Sequence, residues 1–208
     1  MKKISTIIFA LALIAGVHAQ EPVHRAKIEE IEGEMLQTPD YAIGTPVDKF
    51  PDRRREWLEI RAEIEMETTD PSGFIPELEA RWFVVIKDKY SGKPVRLLGK
   101  ATFRNIRATD RKVHLSAYID PDTLERITGS SRPSENDIEA YALTISGPGI
   151  LADDRYKAGL TMATAEKDAK WWEKWEHKSI EDAVLPKSKT PYAPLWSDRY
   201  PVEKVSTE

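Results

Sequence analysis

The chain contains no cysteine. That excludes disulfide staples, thiolate metal sites, thiol nucleophiles and a lipidated cysteine anchor. Histidine is scarce: His18, His24, His114 and His177 are scattered and share no ligand spacing. No phosphate loop or dinucleotide fingerprint occurs, and no Gly-x-Ser-x-Gly elbow. There is no internal repeat and no low-complexity tract. No run resembles a basic groove either, Arg53-Arg54-Arg55 reading as a short solvated lead-in to a strand; the net charge is −4 and the signs are well mixed, which argues against a nucleic-acid partner. No apolar run reaches the roughly 20 residues that cross a bilayer as a helix. These absences leave no catalytic residue, metal ligand or cofactor to name.

What is present begins at the N-terminus. Lys2 and Lys3 precede an apolar stretch over residues 4–17, and Val17-His18-Ala19 offers a cleavage site. The expectation is an exported protein, secreted or held in the periplasm or cell envelope, with residues 1–19 removed between Ala19 and Gln20. Loss of Lys2 and Lys3 takes the net charge from −4 to −6. The residues after Ala19 are polar, unlike the retained apolar helix of a type IV pilin, so a pilus shaft subunit is not expected. The mature chain has no further candidate membrane span.

Two stretches organise the rest. Over residues 57–67, Leu58, Ile60, Ala62, Ile64 and Met66 alternate with Glu59, Arg61, Glu63 and Glu65. Over residues 78–87, Leu78, Ala80, Trp82, Val84 and Ile86 alternate with Glu79, Arg81, Phe83, Val85 and Lys87. Period two marks half-buried strands, since a helix would smear these residues around its axis. If the two pair as neighbours, Glu63 lies beside Arg81. Residues 95–106 and 113–119 read as two more strands joined in a hairpin, with Gly99 at a close approach. One core is expected from Leu58, Ile60, Ile64, Trp82, Val84, Leu97, Phe103, Val113, Leu115 and Ile119. Asp120 caps a short helix that starts at Pro121. Residues 138–146 give a fifth strand, and residues 150–154 and 155–164 two shorter ones. Short strands at this spacing make the chain mainly β: an immunoglobulin-like antiparallel β-sandwich with short helices and an extended C-terminal tail.

The sandwich is assigned to residues 53–164. Before it, residues 20–52 read as an extension. Ile28, Ile31, Met35 and Leu36 give it a short amphipathic helix over residues 25–37, and prolines make residues 38–52 a connector. After it, residues 165–208 read as a helix over 165–177 and a Pro- and aromatic-rich tail packed on the sandwich.

Candidate sites are few. Glu59, Glu63, Glu65 and Glu67 share a strand face that reads as wet surface rather than a catalytic pair, which needs one desolvated carboxyl. Asp120 with Asp122, and Asp153 with Asp154, offer oxygen ligands but match no complete calcium loop. Arg61, Phe83 and Val85 form a candidate interaction surface on the solvent side, suited to a second copy in a closed homo-oligomer, with residues 155–164 as an open edge. Trp171, Trp172, Trp175, Tyr192, Trp196 and Tyr200 have the composition of a sugar-stacking platform, or else fasten the tail.

Residues 57–64, 78–85, 121–127, Trp171-Trp172 and 185–200 together resemble a family of secreted immunoglobulin-like proteins encoded in the verrucomicrobial type IV pilus-associated gene cluster. The resemblance spans nearly the whole mature chain and implies a fold, a setting near the pilus apparatus and self-association. It carries over no catalytic residue. The reading is a non-enzymatic exported interaction module associated with pili or the cell envelope, with pilus or envelope proteins as partners. The alternative is a carbohydrate-binding module using the C-terminal aromatics, with a glycan as ligand.

Overall fold

The computed structural model describes residues 21–40, 55–108, 112–151, 161–162 and 171–204. The expected signal peptide, most of the connector over 38–52, Asp153, Asp154, the edge over 155–160 and the helix start over 165–170 lie outside these residues.

Six long strands carry the architecture: β1 (His24–Gln37), β2 (Glu56–Thr68), β3 (Phe74–Lys87), β4 (Pro94–Arg107), β5 (Lys112–Ile119) and β6 (Ile138–Ser146). Five two-residue strands complete the sheets among the described residues: β7 (Ile150–Leu151), β8 (Thr161–Met162), β9 (Ser179–Ile180), β10 (Leu185–Pro186) and β11 (Val202–Glu203). The first sheet runs β10-β5-β2-β1-β7 and the second β11-β4-β3-β6-β8, with β9 also on β4. The long strands pair antiparallel, and the short pairs β1–β7 and β4–β9 are parallel. The fold is a two-sheet β-sandwich.

Neighbouring strands in sequence do not always pair. β2 and β3 lie in opposite sheets, so the expected contact between Glu63 and Arg81 does not form; Glu63 faces Glu30 and His114 across its ladders, and Arg81 faces Lys100 and Thr144. β4 and β5 are likewise split between the sheets instead of forming a hairpin. Alternation shows that each strand has an apolar face. It does not say whether two such faces lie side by side or opposed, and here they are opposed. Both crossings sit at one end, where the Ala108 N–H donates to the Gly73 carbonyl at 2.9 Å. All ten expected core residues fall in one buried cluster between the sheets.

The helix expected over residues 25–37 is β1. A bulge between Ile28 and Glu30 in its ladder with β2 explains the misreading. Ala26 and Ile28 face the core before the bulge, and Ile31 after it. One extra residue turns a spacing of two into three, which imitates a helical repeat. Gly33 is not a helix defect but a close approach: a Cβ there would stand 2.1 Å from Tyr141 Oη on β6.

Helix α1 (Pro121–Thr128) forms as its caps dictate. The Asp120 carboxylate accepts from the Thr123 N–H at 2.9 Å, and Gly129 closes the last turn at φ +63°, donating to the Glu125 carbonyl at 2.8 Å. Asp122 is engaged by Arg55 at 2.6 Å. Downstream, Trp171–Lys174 is a single 3₁₀ turn. The tail then follows one side of the sandwich, adding β10 to the edge of β5 and β11 to the edge of β4.

Candidate interaction surfaces

Period two on β2 sends Glu59 to the outer face, yet Glu59 is only 2% exposed. It stands opposite Tyr118 of β5. The Tyr118 hydroxyl donates to Glu59 Oε1 at 2.6 Å, the Tyr200 hydroxyl lies 3.5 Å from the same oxygen, and an Arg61 nitrogen is 3.7 Å from Oε2. Arg61 also reaches Glu32 at 2.9 Å and Glu34 at 2.8 Å. The assignment of Glu59 to a wet face is therefore corrected, and the cause is the tail. Burial pushes the Tyr118 phenol far up, and its bond to Glu59 adds to that. Burial, with Glu59 next, also raises Tyr200. Lys187 is buried beside them, donating to the Ala193 carbonyl at 2.9 Å, and its ammonium is held below the usual lysine range by that burial.

Tyr192 is the tail's anchor. It stacks on Tyr118 at 5.0 Å and 10°, meets Trp57 edge-on at 6.1 Å, and donates its hydroxyl to the carbonyls of Leu36 and Gln37. Trp196 lies near-parallel to it at 6.4 Å and 11°, and remains 50% exposed.

A separate aromatic group covers the second sheet. Trp171 and Trp172 are buried with Val85 and Ala142, and Phe83 and Trp175 pack against them. The Phe83 and Trp172 rings are 6.1 Å apart. Arg96 lies 5.9 Å from the Phe83 ring and 5.7 Å from that of Trp175, and donates to the Trp172 carbonyl.

Two groupings read from the sequence are thus corrected. Arg61 is on the outer face of the first sheet, whereas Phe83 and Val85 are on that of the second and lie under tryptophans, so the three make no common patch. The six aromatics do not form one platform. Trp171, Trp172 and Trp175 serve one sheet; Tyr192, Trp196 and Tyr200 serve the other, and Trp196 alone keeps a largely open ring. The buried pair of Glu59 and Tyr118 was missed because no signal in β2 distinguishes Glu59 from Glu63.

Away from the aromatics the outer faces carry opposite charge. On the first sheet, Glu30, Glu32, Glu34, Glu63, Glu65 and Glu67 outweigh the interspersed Arg25, Lys27, Arg61 and Lys112. On the second, Arg81, Lys87, Lys100 and Arg104 outweigh Glu77 and Glu79. No helix among the described residues is long and apolar enough to cross a membrane.

Comparison with known proteins bears on the fold and the family. Curated proteins give no match. A crystal structure of a protein from Akkermansia muciniphila matches with a TM-score of 0.77 and 19% identity, covering 89% of this chain and 96% of that one. At that identity the likeness speaks for the fold alone. A family model matches residues 17–207. On that match, the chain belongs to a pilus-associated family.

Proposed function

We propose that the protein is a non-enzymatic, exported interaction module of the cell envelope, working beside pili and self-associating there. The family supports the setting. The strand order β5-β2-β1 over β4-β3-β6 supports the immunoglobulin-like type.

The observation that carries the reading is the opposite charge of the two outer faces. The acidic face of one copy complements the basic face of the next, and such complementarity sets orientation and encounter rate more than affinity. The two patches differ, so the contact is head-to-tail, closing into a ring or continuing as a filament. Added salt weakens it.

The test uses two charge-reversed variants, Glu30→Lys with Glu67→Lys and Arg81→Glu with Arg104→Glu. Each is expected to be monomeric alone by light scattering, and their mixture to form one-to-one dimers through the intact faces. Self-association of either variant by itself, or a mixture that stays monomeric, overturns the head-to-tail contact. The setting is tested separately: protein taken from envelope fractions should begin at Gln20, or its cyclised form, by mass spectrometry. An intact Met1 there contradicts export by cleavage.

A further inference from the structure

We infer that Trp196 is a stacking site for a single pyranose ring on the outer side of the tail. This does not rest on the pilus setting or on self-association. Three observations converge on it. First, the Trp196 ring lies near-parallel to that of Tyr192, offset at 6.4 Å and 11°, and Tyr192 in turn stacks on Tyr118 at 5.0 Å and 10°. Trp196 is thus backed by the buried Tyr192 while it stays 50% exposed. The ring is presented flat on a rigid support, which is the geometry a C–H face of a sugar needs.

Second, Trp196 adopts φ +52°, the left-handed region, where a bulky side chain is strained. The chain on both sides is fixed by tight turns: the Leu195 N–H donates to the Tyr192 carbonyl at 2.9 Å, and the Arg199 N–H to the Trp196 carbonyl at 3.0 Å. Glycine would fit this backbone at less cost. An exposed tryptophan held there adds little to the core, and strain kept at an exposed position is a mark of function.

Third, the surroundings are polar. Ser197, Asp198 and Arg199 follow Trp196 on the surface. A hollow of about 240 Å³ lies next along the chain, lined by Ser188, Ser197, Tyr200 and Glu203 among others and not by Trp196 itself. A protein hot spot is ringed by close-packed contacts that exclude water. An exposed apolar ring followed in the chain by hydroxyl, carboxylate and guanidinium side chains, the last lying over Tyr200 at 5.9 Å, fits a ligand that is apolar on one face and polyhydroxylated at its edges.

The test titrates isotope-labelled full-length protein with methyl glycosides of galactose, mannose and N-acetylglucosamine at millimolar concentration. Acyclic sorbitol is the control polyol. The indole N–H signal of Trp196, assigned by its loss in Trp196→Phe, is expected to shift saturably with at least one glycoside and not with sorbitol, while those of Trp82 and Trp171 stay fixed. In ligand-observed saturation transfer, Trp196→Phe is expected to weaken the response several-fold and Trp196→Gly to abolish it, with the melting temperature of the glycine variant unchanged or raised. Failure of every glycoside to shift the signal, or an equal shift with sorbitol, overturns the site.

Discussion

Tyr118 and Glu59 face each other across the β2–β5 ladder, joined by a 2.6 Å hydrogen bond on an outer sheet face from which the tail has excluded water. Burying a carboxylate is costly without partners, and removing one partner exposes that cost. Tyr118→Phe is therefore expected to destabilise by about 1.5–3 kcal/mol, since the lost bond is to a charged group. Glu63 stands four residues along on the same face, paired with the exposed Lys112. Glu63→Ala is expected to cost less than about 1 kcal/mol. Urea melts of the two variants check the ranking, and equal costs would mean that the tail does not seal Glu59.

Alkaline pH should loosen the same region. Burial raises the phenols of Tyr118, Tyr200 and Tyr141, the last pushed up to about 12 from an ordinary 10.0. In the unfolded chain these groups lose protons near pH 10, while the folded chain retains them, so unfolding releases protons above that point. The stability they contribute is full below pH 10 and falls as pH rises above it, in the case of Tyr141 through about 12. Phenolate absorbance should show three tyrosines titrating only as the fold is lost. Tyr118→Phe should reduce the slope of stability against pH in this window, and an unchanged slope would remove Tyr118 from the account.

The core was legible in the sequence because period two is imposed on every residue of a half-buried strand. Leu58, Ile60, Trp82 and Val84 could be assigned from spacing alone. Partner choice was not legible, because an apolar face looks the same whether its neighbour lies beside it or across the core; β2 and β3 were misplaced for that reason. The bulge in β1 hid a strand behind a false helical repeat. The face of Glu59 was unreadable because its cover arrives from Tyr192 and Tyr200, more than a hundred residues later. The start of α1 was legible because Asp120 and Pro121 act within a few bonds of the turn they begin.

Gly33 tests the reassignment of β1. An added methyl would stand 2.1 Å from Tyr141 Oη and 2.8 Å from its Cζ, so Gly33→Ala is expected to cost about 1–3 kcal/mol by overpacking. Adding Tyr141→Phe removes the nearer atom and should recover part of that loss. In a surface helix the same change to alanine would stabilise by about 1 kcal/mol. The sign of the effect in denaturant melts therefore separates strand from helix.

Trp82 separates packing from hydrogen bonding in the core. It is 1% exposed, and its indole N–H has no hydrogen-bond partner among the described residues. Trp82→Ala is expected to cost about 3–5 kcal/mol through the cavity it leaves. Trp82→Phe sacrifices no hydrogen bond and refills most of the space, so it should cost clearly less. Equal losses in urea melts would point to a bond that the indole makes after all.

Gly99 tests whether the tail is a strap that can be released without unfolding the sandwich. The Val184 N–H donates to the Leu98 carbonyl at 3.0 Å, and a Cβ on Gly99 would lie 1.9 Å from the Val184 carbonyl oxygen. That obstacle is backbone, so it cannot be relieved by turning a side chain. Gly99→Ala must push residues near Val184 away from β4, and β10, Tyr192 and β11 follow Val184 in the chain. The six long strands, by contrast, are held by their own ladders and the shared core. The expected outcome is faster proteolysis within residues 182–204, with the amides of β2 and β3 still protected in hydrogen exchange. Glu59 would regain water, and Tyr118 would titrate at lower pH than in the parent. If proteolysis of the tail is unchanged, the tail tolerates the methyl and the contact is looser than its geometry implies. If β2 and β3 lose protection together with the tail, the tail is part of the cooperative core.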